Sequence, residues 1–309
     1  MLKEKILNKK AGIITYGLTP PKLNNSVEKI LEIAERQKNR IQNISIDGLI
    51  LYDIQEESDR SKKERPFPFL PTIDPTEYER NYLYDLGVPK IIYQCVGKYS
   101  TDQFAEWLEM DVEKDKFAVF VGASSHKQEV KLRLPEAYKL KQRLNNNLIL
   151  GGVTIPERHI KQSDEHLRII HKIESGCQFF VSQAIFNIEA SKNFLSDYYY
   201  HCKNHNIEMV PILFTLMPCG SLKTLEFMKW LGISLPRWLE NDLTHSEDIL
   251  DKSIILEKRI FQELIDFATE KGIPIGCNVE SVSVRKSEIE ASIQLVKDIQ
   301  SIIQSKILI

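Results

Sequence analysis

The sequence predicts a single (β/α)8 barrel spanning residues 1–309, and three observations carry that prediction. Eight short apolar runs alternate with segments of helical periodicity, and strict alternation of that kind requires a parallel sheet. Eight such units in 309 residues suit a closed barrel better than an open doubly wound sheet. No G-x-G-x-x-G fingerprint follows the first strand, which further disfavours a dinucleotide-binding sheet. No linker, charge block or low-complexity segment divides the chain.

The strand signals fall at 11–16, 48–52, 91–96, 117–121, 148–153, 177–182, 210–214 and 273–278. Asn25 with Glu28 predicts a capping box for a helix over 26–41. Helical stripes follow at 78–86, 101–110 and 135–144. In 165–175, Leu167, Ile170 and Ile173 lie at helical spacing, and Gly176 stands where a C-cap belongs. The residues between, 154–163, read as a polar loop carrying Pro156, Glu157 and His159. Helices are also predicted over 188–204, 222–231, 237–241 and 287–303. Thr244 and Glu247 suggest a cap for one further long helix, which Lys271-Gly272 stops. The connection over 53–75 is long for a compact domain, and its Arg65 to Pro71 run holds two Phe. It reads either as a Pro-stiffened excursion whose Phe side chains pack on the barrel wall or as a substrate-facing lid.

Composition excludes several classes of function. The 41 basic and 43 acidic residues nearly cancel, so neither nucleic acid nor a membrane surface is an expected partner. No apolar stretch suits a signal peptide or a bilayer span. The five cysteines include no C-x-x-C pair and suit a reducing compartment, which predicts a cytoplasmic protein.

Chemistry in such a barrel sits where the strands end. That rule selects Tyr16, Gly17, Asp53, Gln55, Gln94, Gly122, Ser124, Glu157, His159, Gln183, Thr215, Cys219, Asn278 and Glu280. Gln183 offers a donor and an acceptor for the edge of a heterocycle, or for the next loop. Glu280 and Asp53 are the carboxylates best placed for proton transfer, with a salt bridge or loop cap as the alternative for each. Lys172 either complements its helix dipole or reaches a ligand phosphate. Cys219 has no neighbour in sequence that would activate it and reads as an idle thiol. Glu157, His159, Glu165 and His166 match no standard zinc spacing, so no metal is expected.

The stretch 148–187 resembles the central segment of the methylenetetrahydrofolate reductase family. It holds a strand, then the Pro-Glu-x-His loop as Pro156-Glu157-Arg158-His159, then a helix ending Lys172 to Cys177, and a strand ending Ser182-Gln183. Weaker likeness continues through Pro20-Pro21, Val210 to Pro218 and Leu235 to Trp238. The resemblance implies an FAD-bearing (β/α)8 barrel that passes hydride from NAD(P)H through flavin to a folate methylene. It places His159, Glu165, Lys172 and the strand-four residue Gly122 on the FAD side, and Gln183 against folate and flavin.

Three strand ends depart from the family pattern. Its strand-one general acid, a Glu, is Gly17 here. Its strand-four Arg and Asp are Val121 and Ala123, and its strand-three His is Tyr93 or a neighbour. Two functions follow as expectations. One is a reductase-like enzyme acting on a folate or related C1-carrying heterocycle, with FAD bound weakly at most or with NAD(P)H as direct donor. The other is a non-redox folate-like ligand-binding barrel or partner subunit, and homo-oligomers suit either. In the first, Glu280 replaces the missing acid and Gln183 orients the heterocycle.

Overall fold

The computed structural model describes residues 2–56, 64–110, 112, 115–123 and 130–307. Ser124, a predicted site residue, and 57–63 of the long connection lie outside the described residues. Eight parallel strands close into one barrel in sequence order: β1 (Ile14–Leu18), β2 (Gly48–Leu51), β3 (Lys90–Cys95), β4 (Phe117–Val121), β5 (Ile149–Thr154), β6 (Phe179–Ala184), β7 (Ile212–Leu216) and β8 (Ile275–Glu280). The (β/α)8 prediction is borne out.

The outer helices are α2 (Val27–Gln42), α3 (Pro75–Tyr82), α4 (Thr101–Glu109), α5 (Leu134–Leu144), α7 (Glu165–Glu174), α8 (Ile188–His205), α11 (Ile249–Lys271) and α12 (Lys286–Ile307). Short helices α6 (His159–Gln162), α9 (Leu222–Trp230) and α10 (Arg237–Thr244) follow β5 and β7. One helix that escaped the sequence reading is α1 (Leu2–Leu7), whose Leu2 and Ile6 join the interior apolar cluster with Ile13, Ile50, Ile91 and Phe117 and so plug the barrel floor. Six residues give too short a stripe for periodicity to register.

Two caps and several boundaries differ from expectation. Ser26, not Asn25, accepts from Lys29 N and starts α2. Asp248 accepts from Asp251 N and starts α11, while Thr244 ends α10. Capping boxes share their residue types with ordinary turns, so position alone misassigns them by a few residues. The loop 154–163 contains a 3-10 turn, Pro156–Arg158, and then α6. Gln183 lies one residue inside β6, and Glu280 is the last residue of β8 rather than a loop residue beyond it.

Inside the barrel, alternate residues of each strand point inward, as the pleat requires. Gly151 is needed at its level because a Cβ there would lie 2.5 Å from Cζ of Phe179, whose ring crosses from the neighbouring strand. Outside, the helices bury a second cluster against the strands, including Tyr78, Phe104, Phe120, Phe194, Tyr198 and Phe261. The interior thus turns polar only near the C-terminal ends of the strands.

Candidate functional site

The seam where the ring closes brings the chemistry together. Gly17 of β1 pairs in register with Glu280 of β8. A Cβ on Gly17 would lie 2.7 Å from Cε2 and 2.8 Å from Oη of Tyr52, and 3.1 Å from Oε2 of Glu280. The side chains of Tyr52 and Glu280 therefore fill the volume above the glycine. One layer below, Thr15 Oγ1 donates to Asn278 Oδ1 at 3.0 Å. Asn278 Nδ2 donates to Tyr52 Oη at 3.0 Å and lies 3.2 Å from Thr215 Oγ1. Tyr52 and Asn278 also flank the Glu280 carboxyl.

Glu280 is partly buried at the mouth, its carboxyl surrounded by protein on its flanks and open to solvent above. Burial raises its pKa, and the polar groups of Tyr52 and Asn278 beside it offset part of that rise. The same enclosure, together with the Glu280 charge, holds the Tyr52 and Tyr93 phenols well above their ordinary range. Their rings meet edge to face with centroids 4.7 Å apart. A carboxyl that keeps its proton longer than usual, framed by neutral phenols, can donate a proton to a basic atom above it.

Gln183 stands on β6, two strands from β8, with β7 between. The β6–β7 register shifts between Val181 and Ala184, because Thr215 N donates to Ser182 Oγ at 2.9 Å instead of continuing the ladder. Such an irregularity re-aims the side chains beside it. Gln183 Nε2 donates to the Leu231 carbonyl at 3.2 Å, so part of its hydrogen-bonding capacity goes to the loop after α9.

The described part of the long connection leaves β2 and packs on α9, which follows β7. Arg65 lies over the rings of Phe69, Phe227 and Trp230 at 5.2, 5.3 and 5.1 Å. Phe67 meets Phe227 edge to face at 5.2 Å, and Thr72 forms a bridge with Lys22. Because β1 and β8 lie between β2 and β7, this segment straps the edge of the mouth that holds Glu280. Its Phe67 packs, as the first reading had it, but on α9 rather than on the barrel wall.

Other predicted residues take structural roles. Asp53 pairs with Lys98 and accepts from Cys95 N at 2.9 Å, which removes it as a proton donor. Gln94 Nε2 donates to Thr76 Oγ1 at 3.3 Å, and Gln55 Nε2 donates to the Gly122 carbonyl at 3.5 Å. Cys219 is buried, and that burial pushes its thiol up to about 12, so it is no nucleophile. Burial pushes Glu157 up to about 8. Backbone N–H groups of Phe186 and Asn187 temper that rise without reaching hydrogen-bonding geometry with either carboxyl oxygen.

Sequence profiles and solved structures place this barrel. A profile of the methylenetetrahydrofolate reductase family matches residues 133–275. A solved uncharacterized protein from Clostridium thermocellum, which binds two copies of 5-methyl-5,6,7,8-tetrahydrofolic acid, is 60% identical with a TM-score of 0.88. The match covers 97% of this chain and 99% of that one. The chain belongs to the methylenetetrahydrofolate reductase family. A solved secondary alcohol dehydrogenase, 9% identical, matches with a TM-score of 0.50 over 95% of this chain and 99% of its own, a likeness of fold alone. No curated protein matches.

Family membership gives meaning to the β5 side of the mouth. Here the residues that the resemblance expects on the cofactor side are bonded within their own chain. Lys172 Nζ donates to the Val153 carbonyl at 2.5 Å, and burial lowers its pKa. Glu165 is buried and accepts from Thr154 Oγ1 at 2.9 Å and Ile155 N at 2.8 Å. His159 Nε2 is 2.9 Å from Asp197 Oδ2. Val121 and Ala123 bring no charge to β4.

Sequence reasoning missed Tyr52, the phenol that shares the space over Gly17. Its signal was its place at the end of a strand, one residue before the acid that drew attention instead.

Proposed function

We propose that the chain binds a reduced folate at the barrel mouth, the pterin lying between Glu280 and Gln183, and that Glu280 is the proton donor of a reductase-type reaction there. The observation that carries this reading is the register pair. The acid that the family resemblance places on β1 is replaced by Gly17, and a carboxyl from the adjoining strand, at the same level, fills the vacated volume. A 60% identical protein that binds 5-methyl-5,6,7,8-tetrahydrofolic acid supports the choice of ligand.

In this reading Glu280 gives its proton to the amine nitrogen that leaves the folate methylene carbon, while hydride from a dihydronicotinamide reaches that carbon and yields a methyl group. Asn278 and Tyr52 flank the carboxyl. Gln183 retains its amide oxygen for the pterin edge, while its Nε2 stays on Leu231. FAD is not part of the proposal. Lys172, Glu165 and His159 are engaged with Val153, Thr154, Ile155 and Asp197, and β4 lacks the charges the resemblance puts beside flavin. As arranged, those residues do not fit the cofactor.

The test is equilibrium titration of the purified chain with 5-methyltetrahydrofolate, followed by NADH or NADPH oxidation with methylenetetrahydrofolate. Saturable binding and donor-dependent turnover are expected from a colourless preparation. Absence of folate binding would sink the reading. Binding with no turnover from either donor would leave a folate-binding barrel, and a stoichiometric yellow preparation would overturn the exclusion of FAD.

A further inference from the structure

Beyond the β1/β8 seam, three helices bring together a set of side chains that no spacing in the sequence announces. His159 begins α6, His166 is the second residue of α7, and Asp197 stands in the middle of α8. One coordinating atom from each lies within 4.8 Å of the other two. We propose that His159, His166 and Asp197 form a zinc site that ties α6 and α7 to α8.

Ring geometry separates this cluster from ordinary packing. The His159 and His166 rings are 5.4 Å apart between centroids and inclined at 76°, so they do not stack. With Zn–N bonds of about 2.0–2.1 Å, two imidazoles on one tetrahedral ion have centroids about 5 Å apart. The cluster is therefore close to a ligating arrangement, and modest side-chain rotations complete it. His159 and His166 each keep a buried Nδ1 with no hydrogen-bond partner, and His159 is only 3% exposed. Buried imidazole nitrogens without partners are uncommon and point to a missing ligand.

The Asp197 carboxylate already approaches His159 Nε2 at 2.9 Å, which brings a charged oxygen to the other nitrogen of that ring. Two imidazoles and one carboxylate suit zinc and not magnesium or calcium, which take oxygen ligands. A fourth position is left for water or for His201. That residue lies one helical turn beyond Asp197, its ring 5.6 Å from His166. The site fixes the start of α6, and with it the turn that buries Glu157.

The test uses the untagged full-length chain, stripped with chelator and titrated with zinc alone in a calorimeter. One zinc per chain is expected, with a rise in Tm on binding. His166→Ala and Asp197→Ala, at partly exposed and exposed positions, should each weaken zinc at least about 100-fold and abolish the Tm rise. His171→Ala, on the exposed face of α7, should change neither. Should His166→Ala fail to fold, cobalt(II) titration of Asp197→Asn gives the same answer through loss of the tetrahedral absorption band. No stoichiometric binding overturns the proposal. So does wild-type affinity in the two alanine variants, or an equal loss in His171→Ala.

Discussion

The two sides of the barrel mouth carry similar residue types and use them in opposite ways. On the β1/β8 side, Glu280 sits over a glycine, flanked by neutral groups, with no cation beside it among the described residues. On the β5 side, Glu165, Lys172 and His159 each have a partner from their own chain. An acid flanked only by neutral groups keeps a high pKa and can exchange a proton, whereas a charge already neutralised locally has little left to offer a ligand. The difference teaches that a matching residue does not imply a retained role. What decides it is whether the side chain's hydrogen-bonding capacity remains unspent.

Four experiments sharpen or break that contrast. The largest effect is expected at the seam: Glu280→Gln should lower turnover by about 10² to 10⁴ while 5-methyltetrahydrofolate affinity stays within a few-fold. Unchanged turnover would place the proton donor elsewhere.

Next comes a pH effect at Glu157. Its folded pKa of about 8 stands above the ordinary 4.5, so the folded state holds a proton that the unfolded chain releases. Stability should therefore be fullest at low pH and fall as pH rises through that window, then level off above it. Urea unfolding between about pH 5 and pH 8 should show a loss of about 2–4 kcal/mol in wild type. Glu157→Gln should be nearly flat over the same range. Parallel curves would mean that the carboxyl ionises freely.

On the β5 side, Glu165→Gln should cost about 2 kcal/mol in denaturant unfolding, because a buried acceptor of two hydrogen bonds is altered. Folate affinity should not move. A large loss of affinity without loss of stability would show that this side holds the ligand after all. The smallest effect belongs to Gln183→Ala, which should weaken 5-methyltetrahydrofolate by about tenfold, one hydrogen bond's worth, with turnover at saturation little changed.

Much of the fold was legible because buried parallel strands must be apolar runs, and eight of them left little choice of architecture. Glu280 was legible for a related reason, since a charge at the end of such a run has to lie at the mouth. Burial of single charged groups on helices was not. Glu257 and Glu288 are fully buried beneath Met217 and Thr224, at positions where periodicity alone expects apolar side chains. Nor was the cluster on α6, α7 and α8, where His159 and Asp197 stand 38 residues apart and only packing joins them. Tertiary proximity between polar residues leaves no periodic trace.

The seam has a consequence for how the protein is made. Thr15 and Asn278, hydrogen-bonded beneath Glu280, are separated by 263 residues. Synthesis delivers β1 first and β8 last, so the ring cannot close until nearly the whole chain has left the ribosome. Until then the Leu2 and Ile6 plug has no finished floor to seal, and the acid has no glycine to cover. A ligand held at this join binds only the closed ring and adds RT ln(1 + [L]/Kd) to its stability. Reduced folate would then act as a clasp on the last joint to form, and cells short of it would carry more of this barrel open along one edge.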